Sequence, residues 1–156
     1  MKLRFVTMDP ADLSLIDLRA DIAEACPALT DPAFAAALAG GYALTAIDGC
    51  RTVAAGGVMP YWPGCGRAWL APGNGLRRRY WPAITEATIA VFARAHADGM
   101  ARIETVVRED MPANHFWARR LGFESEGLMR RWGPEGKDYR LYARIDPAAA
   151  ATEEAV

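Results

Sequence analysis

Three consecutive arginines, Arg77–Arg79, stand directly before a sequence that begins a helix. Pro82 places the start of that helix near Trp81, because proline is tolerated only in the first turn. Cations at a helix N-terminus oppose the helix dipole, at a cost of about 0.3 kcal/mol each. Guanidinium groups also bind phosphate bidentately. The pattern therefore predicts either a phosphate-binding turn or a solvated basic turn.

Glu104 is the strongest candidate for a general base, since it lies in the middle of a predicted strand over residues 101–108. A carboxylate in an apolar cleft has a raised pKa and can accept a proton near neutral pH. The alternative places Glu104 on the solvated face of the strand, paired with Arg102 or with a residue of a neighbouring strand.

Tyr139 and Tyr142 lie at opposite-face spacing in the last predicted strand, residues 138–145. Either hydroxyl can serve as a proton donor, although packing in the core is the commoner role of a strand tyrosine. His115, in the first turn of a predicted helix over residues 111–121, is a second candidate base or donor. A lone histidine at a helix start is more often solvated, and that is the expectation for His115.

Apolar periodicity and turn residues define the elements that must position these side chains. Strands are predicted over residues 2–8, 42–48, 51–60, 66–71, 101–108, 123–131 and 138–145. Helices are predicted from Asp9-Pro10 through Cys26, from Pro32 to Leu38, from Trp81 to the stop at Gly99, and over residues 111–121. Asp48-Gly49 predicts a hairpin. The helix between strands 66–71 and 101–108 predicts that these two are parallel, within a mixed α/β sheet.

Length and composition limit the classes of function. The 156 residues predict one domain over residues 1–146, followed by a flexible C-terminal tail over 147–156. A net charge of -1 gives no attraction to nucleic acid or to an anionic membrane. Three dispersed cysteines without a C-x-x-C motif predict reduced thiols in a cytoplasmic protein and no metal site. Neither a signal peptide nor a membrane-spanning stretch is expected.

The segment Asn114-His115-Phe116-Trp117-Ala118-Arg119-Arg120-Leu121-Gly122-Phe123-Glu124 ends a helix on "LGF" and opens a strand, after which a hairpin follows to residue 145. It resembles the C-terminal third of the GNAT acetyltransferase superfamily. The predicted element order also matches that family over residues 2–145. The resemblance implies an α/β (α+β) fold with a mixed, mostly antiparallel sheet, one splayed parallel strand pair and helices on both faces.

The resemblance further implies acetyl-CoA as co-substrate, held where strands 66–71 and 101–108 splay apart. The pantetheine arm then follows the backbone of Trp69, Leu70 and Ala71. The pyrophosphate lies at the start of the next helix, where free N–H groups bind anions.

The family marks this phosphate turn with Arg/Gln-x-x-Gly-x-Gly/Ala. In this chain Arg78 matches the first position and Ala83 the last. Trp81 stands where glycine is usual, and Pro82 removes one N–H donor. Arg78 and Arg79 are therefore expected to bind the phosphates in place of the backbone.

The usual acid of the family, a tyrosine on the last helix, falls at Ala118 in this chain. The resemblance then leaves Glu104 as base and Tyr142 as substitute acid. The family's asparagine near the start of that helix is matched by Asn114, shifted by about one helical turn.

Several functions agree with this resemblance. One is an N-acetyltransferase acting on a small-molecule or protein amine. A second is a GNAT-like protein of phage or prophage origin with a structural or accessory role. A third is a protein that binds CoA or another phosphate ligand without turnover. The aromatic loop over residues 59–65 is expected to face the acceptor or a second copy in a homodimer, or else to cap the core.

Overall fold

The computed structural model describes residues 2–154. Its strands are β1 (Arg4–Thr7), β2 (Tyr42–Asp48), β3 (Arg51–Trp62), β4 (Cys65–Pro72), β5 (Arg102–Arg108), β6 (Glu124–Met129) and β7 (Tyr139–Ile145). Its α-helices are α1 (Asp12–Leu15), α2 (Ala20–Ala25), α3 (Pro32–Ala39), α4 (Trp81–Ala97), α5 (Pro112–Arg120) and α6 (Pro147–Glu154). Two short 3-10 turns cover Pro27–Thr30 and Arg78–Tyr80.

The strands follow the order β1-β2-β3-β4-β5-β7-β6 in one mixed sheet. Most recorded pairs are antiparallel, and β4 pairs with β5 in parallel, as the crossover through α4 predicts. The predicted fold class is therefore confirmed. The parallel ladder joins Cys65–Arg67 to Arg102–Glu104, which is less than half of β4. The predicted hairpin at Asp48-Gly49 is also present, with Gly49 at φ 63°.

The described chain forms two compact units. The first unit combines the chain up to Met59 with Trp69–Val91. The second unit combines Pro60–Ala68 with the chain from Phe92 onward. The prediction of a single domain over residues 1–146 stays a prediction. The predicted tail contains α6, which runs to Glu154, and its last two residues lie outside the described residues.

Among residues 2–154, none of the helices combines the length and the apolar character needed to cross a bilayer.

The first unit differs from the sequence prediction in its N-terminal helix, which was expected to continue through Cys26. The structure interrupts it at Ile16, whose backbone is extended at φ -84° and ψ 123°. Leu18 forms an isolated antiparallel bridge with Gly73. The N–H of Arg19 donates to the carbonyl of Pro72 over 3.3 Å. Because these bonds replace helical ones, two short helices form instead of one.

In the second unit, Arg144 contacts the ends of both α5 and α4. Its guanidinium lies 5.5 Å from the ring centroid of Phe92 and donates to the carbonyl of Leu121 and to Nε2 of His96. The carbonyl of Leu121 lies just past the end of α5, where helix carbonyls need donors. One partly buried arginine therefore fixes the ends of two helices.

The aromatic segment over residues 59–65 is not a loop, contrary to the prediction. Strand β3 continues through Tyr61 to Trp62, and β4 begins at Cys65. The turn between them is reduced to Pro63-Gly64, with Gly64 at φ 85°. Tyr61 and Trp62 are 37% and 63% exposed at this hairpin tip, so they do not cap the core.

Candidate functional site

The basic turn before α4 uses much of its own backbone hydrogen-bonding capacity. The N–H of Tyr80 donates to the carbonyl of Arg77 over 2.9 Å, and the N–H of Trp81 donates to the carbonyl of Arg78. Pro82 has no N–H. A phosphate at this turn therefore cannot use backbone donors from Tyr80, Trp81 or Pro82.

The guanidinium groups of this turn are suited to an anion. Arg77, Arg78 and Arg79 are all exposed. The Nη2 of Arg79 donates to the hydroxyl of Tyr80 over 2.9 Å, and this bond raises the pKa of Arg79. The side chains of Arg77 and Arg78 make no hydrogen bond or ion pair within the described residues. Exposed guanidinium groups without a partner can bind an anion.

The predicted pantetheine strand, Trp69–Ala71, lies in β4 within the first unit. Ala71 is fully buried in the core, and Trp69 packs against the same cluster. A Cβ added to Gly56 would come within 2.9 Å of the Trp69 carbonyl oxygen, so β3 approaches β4 closely here. The Trp69 and Ala71 side chains are committed to the core, which leaves backbone groups for a ligand.

Trp81 and Ala83 lie in the first turn of α4, and both are half-buried. The carbonyl of Trp81 accepts a hydrogen bond from Oγ1 of Thr85 over 2.8 Å. Asn114, the remaining predicted cofactor contact, is exposed at the start of α5, and its Nδ2 lies 3.4 Å from the sulfur of Met111.

Glu104 accepts a separate arginine on each carboxylate oxygen. Nη2 of Arg67 lies 3.0 Å from Oε1, and Nη2 of Arg102 lies 3.2 Å from Oε2. Arg102 also donates two hydrogen bonds to the carboxylate of Glu126, at 2.9 and 2.6 Å. The pairing with Arg102 is the one that the alternative interpretation expects. Both carboxylate oxygens of Glu104 are therefore engaged in ion pairs.

Tyr142 and His115 form a buried pair. Tyr142 is completely buried, and its hydroxyl lies 2.7 Å from Nδ1 of His115. Nε2 of His115 lies 3.1 Å from the carbonyl of Arg108, which can only accept, so Nε2 carries the proton when the ring is neutral. Tyr142 therefore donates to Nδ1. The expectation that His115 is solvated was wrong, because the second unit packs the start of α5 against β7.

The strand register separates the two predicted catalytic side chains. Glu104 pairs with Ala143, and Thr105 pairs with Tyr142. Paired residues share a face of the sheet and consecutive residues alternate, so Glu104 and Tyr142 point to opposite faces. The structure does not bring this base and this acid together.

Sequence reasoning missed a cluster that surrounds Arg67 in the second unit. Its guanidinium carbon lies 5.3 Å from the Tyr61 ring and 5.7 Å from the Trp132 ring. Trp132 in turn lies 5.2 Å from the ring of Tyr139. No local pattern marks these residues, because three separate strands and a turn contribute them.

These features define a chain with the GNAT acetyltransferase fold. Solved structures share this fold, and three of them illustrate the likeness. One is a GNAT superfamily phosphinothricin acetyltransferase from Sinorhizobium meliloti in complex with AcCoA, at 18% identity and a TM-score of 0.72, covering 93% of this chain and 89% of that one. Another is the ribosomal-protein-S18-alanine N-acetyltransferase of Escherichia coli, at 16% identity and a TM-score of 0.69, covering 92% and 93%.

The third is the NatC complex bound to Gag peptide and CoA, at 16% identity and a TM-score of 0.72, covering 94% of this chain and 99% of that one. At these identities the likeness defines the fold alone. No protein-family model and no curated protein sequence matches the chain. The predicted likeness to phage proteins stays a prediction.

Proposed function

We propose that the protein is an acetyl-CoA-dependent N-acetyltransferase that acts on an amine. The observation that supports this most strongly is the shared fold along more than nine-tenths of the chain, including a structure with AcCoA and another with CoA. The short parallel ladder between β4 and β5 agrees with the splayed strand pair that the family resemblance implies.

In this reaction the acceptor loses one proton from its ammonium and attacks the thioester carbonyl. A C–N bond forms, and the C–S bond breaks as the tetrahedral intermediate collapses. The CoA thiolate leaves, and the second proton of the amine nitrogen neutralises it. The protein must position the two reactants and provide a path for both protons, and orientation alone supplies much of the rate.

For the cofactor, we assign the diphosphate to Arg78 and Arg79 and the pantetheine arm to the backbone of Trp69–Ala71. Exposed guanidinium groups compensate for the turn's few backbone donors. Trp81 and Ala83 flank this turn, and the role of Asn114 stays a separate prediction. Nothing in the proposal requires a metal ion.

The first experiment is a thermal shift with acetyl-CoA, followed by calorimetry. A ligand present at 100 times its Kd stabilises the folded state by about 2.7 kcal/mol, which raises the melting temperature measurably. We expect a clear rise with millimolar acetyl-CoA. An unchanged melting temperature would exclude both turnover and binding of this cofactor.

A second experiment compares acetyl-CoA with pantetheine, which lacks the diphosphate. Arg78→Ala or Arg79→Ala should weaken acetyl-CoA about tenfold, the size of one lost charge-assisted contact, and leave pantetheine unaffected. Arg94→Ala, which removes an exposed arginine of α4 paired with Asp98, is the matched control. Equal losses for the two ligands would remove the arginines from the phosphate site.

A non-catalytic CoA-binding protein is the second candidate, favoured by the separation of Glu104 and Tyr142 on opposite faces. The release of CoA thiol with a panel of primary amines distinguishes the two. Binding of acetyl-CoA with no amine-dependent thiol release supports this alternative. If an amine is acetylated, Glu104→Gln tests the predicted base, and an unchanged kcat excludes it.

A further inference from the structure

The turn between β6 and β7 contains two buried polar groups that no protein group satisfies. Both carboxylate oxygens of Glu135 and the hydroxyl of Tyr139 are buried, and none has a hydrogen-bond partner among the side chains and backbone that the structure describes. Nearly all buried polar atoms in folded proteins do have one. A buried carboxylate without a partner is costly, so its retention at this position needs a physical reason.

The two groups meet above Gly133. A Cβ built on that glycine would lie 2.5 Å from Cε2 of Tyr139 and closer still to Oε1 of Glu135. Only glycine therefore leaves room for both. Burial and the adjacent Glu135 carboxylate raise the pKa of Tyr139, although the geometry for a hydrogen bond between them is not met.

The cations of this region are committed to a different carboxylate. Nε of Arg108 lies 2.7 Å from Asp110, and Nζ of Lys137 lies 3.9 Å from the other oxygen of the same residue. Glu104, by contrast, has an arginine on each oxygen. Glu135 is thus a carboxylate of the second unit whose oxygens are buried without a hydrogen bond or ion pair in the described chain, although, after the hydrogen bond to Asp110, its charge contributes to raising the pKa of Arg108.

Aromatic rings lie beside this carboxylate. The indole of Trp132 lies 5.2 Å from the Tyr139 ring and is 46% exposed. The register places Tyr139 opposite Arg108, on the same face of the sheet as Glu104. Aromatic faces attract ammonium groups and pack against apolar groups.

We propose that Glu135 and Tyr139 bind the ammonium group of the acceptor, a primary amine whose apolar or aromatic stem packs on Trp132. This assignment rests on the proposed N-acetyltransferase function and specifies its acceptor class. The ammonium supplies the donors that both oxygens of Glu135 lack. Trp132 and the turn between the two strands must move aside to admit the amine.

The test uses the full chain and calorimetry with two primary amines, 2-phenylethylamine and n-hexylamine. The neutral isostere 2-phenylethanol and potassium chloride serve as comparison probes. We expect the protein to bind at least one amine at least tenfold more tightly than 2-phenylethanol, and Glu135→Gln to abolish that preference. Tyr139→Phe should weaken the same amine severalfold. Glu124→Gln, which removes an exposed carboxylate of β6, should bind like the unmodified protein.

Equal amine binding by Glu135→Gln and the unmodified chain would overturn the proposal, as would failure of both amines to bind or tight binding of potassium alone. A ligand-free measurement gives an independent check. Because Glu135→Gln removes a buried charge without a partner, it should leave the melting temperature unchanged or raise it. If Glu135 is instead a structural residue, the substitution lowers the melting temperature, and that result would also overturn the proposal. Calorimetry with acetyl-CoA on the same samples separates failure of this site from failure of the proposed function.

Discussion

Glu104 and Glu135 show how the partners of a side chain decide its chemistry. Glu104 is fixed between Arg67 and Arg102, whereas both oxygens of Glu135 are buried without a donor in the described part of the chain. A carboxylate between two cations already has its partners, while a buried carboxylate without one gains from binding a cation. Glu104, which the sequence predicts as the base, therefore has the partners of a structural residue, and Glu135 does not.

Tyr142→Phe tests the buried pair. The substitution removes the hydroxyl that donates to Nδ1 of His115 and leaves that nitrogen a buried acceptor without a donor. The free energy of unfolding should fall by about 1–2 kcal/mol, measured by urea denaturation. Tyr61→Phe, at a residue that is 37% exposed, should change it by less than about 0.5 kcal/mol. Equal midpoints for the two variants would contradict the pairing.

If Tyr142 is also the acid, its phenylalanine variant should lower kcat beyond any effect on stability. A stable, saturated enzyme with unchanged kcat would leave the hydroxyl a purely structural role.

Strands β2 and β3 approach each other so closely that only glycine fits at position 57. A Cβ added there would overlap the carbonyl oxygen of Tyr42 and come within 2.7 Å of the Cα of Ala43. Backbone atoms cannot yield as a flexible side chain can, so the hairpin itself would have to deform.

Gly57→Ala should lower the free energy of unfolding by about 2 kcal/mol or more, measured by chemical denaturation. Gly40→Ala is the matched control, because its Cβ would meet nothing closer than 3.5 Å and its backbone is already helical. That variant should be neutral or stabilising by about 0.5 kcal/mol. A tolerated alanine at position 57 would contradict the strand spacing.

The ion pair between Arg102 of β5 and Glu126 of β6 makes the sheet edge sensitive to acid. The hydrogen bond from Arg102 lowers the pKa of Glu126 below its ordinary value of 4.5. A carboxylate with a depressed folded-state pKa stabilises the fold above the unfolded-state value, and that contribution is lost as pH falls through the folded-state value. The pair is partly exposed, so about 0.5 kcal/mol is expected.

Denaturation at pH 7 and pH 3 measures this contribution. Glu126→Gln should be less stable than the unmodified chain at pH 7, and this difference should shrink at pH 3. Glu124→Gln, on the same strand, should show no such pH-dependent difference. A deficit for Glu126→Gln that is as large at pH 3 as at pH 7 would rule out the ion pair as its cause.

At the scale of the whole molecule, the net charge of -1 gives no long-range attraction for an anionic cofactor. Any salt sensitivity of acetyl-CoA binding must then come from local cations. Raising the salt concentration from about 0.1 M to about 1 M shortens the Debye length from about 10 Å to about 3 Å. The Kd should rise severalfold in the unmodified chain and much less in a variant with Arg78→Ala and Arg79→Ala. If calorimetry shows the same dependence of Kd on salt concentration in both proteins, Arg78 and Arg79 do not bind the phosphates.

Sequence patterns predicted the regular elements well where local chemistry decides them. Pro82 and Gly99 correctly bounded α4, and Asp48-Gly49 correctly marked a hairpin. The N-terminal helix was mispredicted, because its interruption depends on the bridge from Leu18 to Gly73, a residue far away in the chain. The end of β3 was missed for a similar reason, since strand pairing extends it beyond Pro60.

By itself, the sequence determined the strand and helix order, the parallel pair and the cluster of exposed arginines, because glycine, proline, periodicity and charge act over a few residues. Only the tertiary structure decided that Glu104 is held by two arginines, that His115 is buried against Tyr142, and that Glu135 is left unpaired. Those outcomes depend on register and on which side chains meet across strands. A shift of one residue reverses the face on which a side chain lies, and no local pattern fixes that shift.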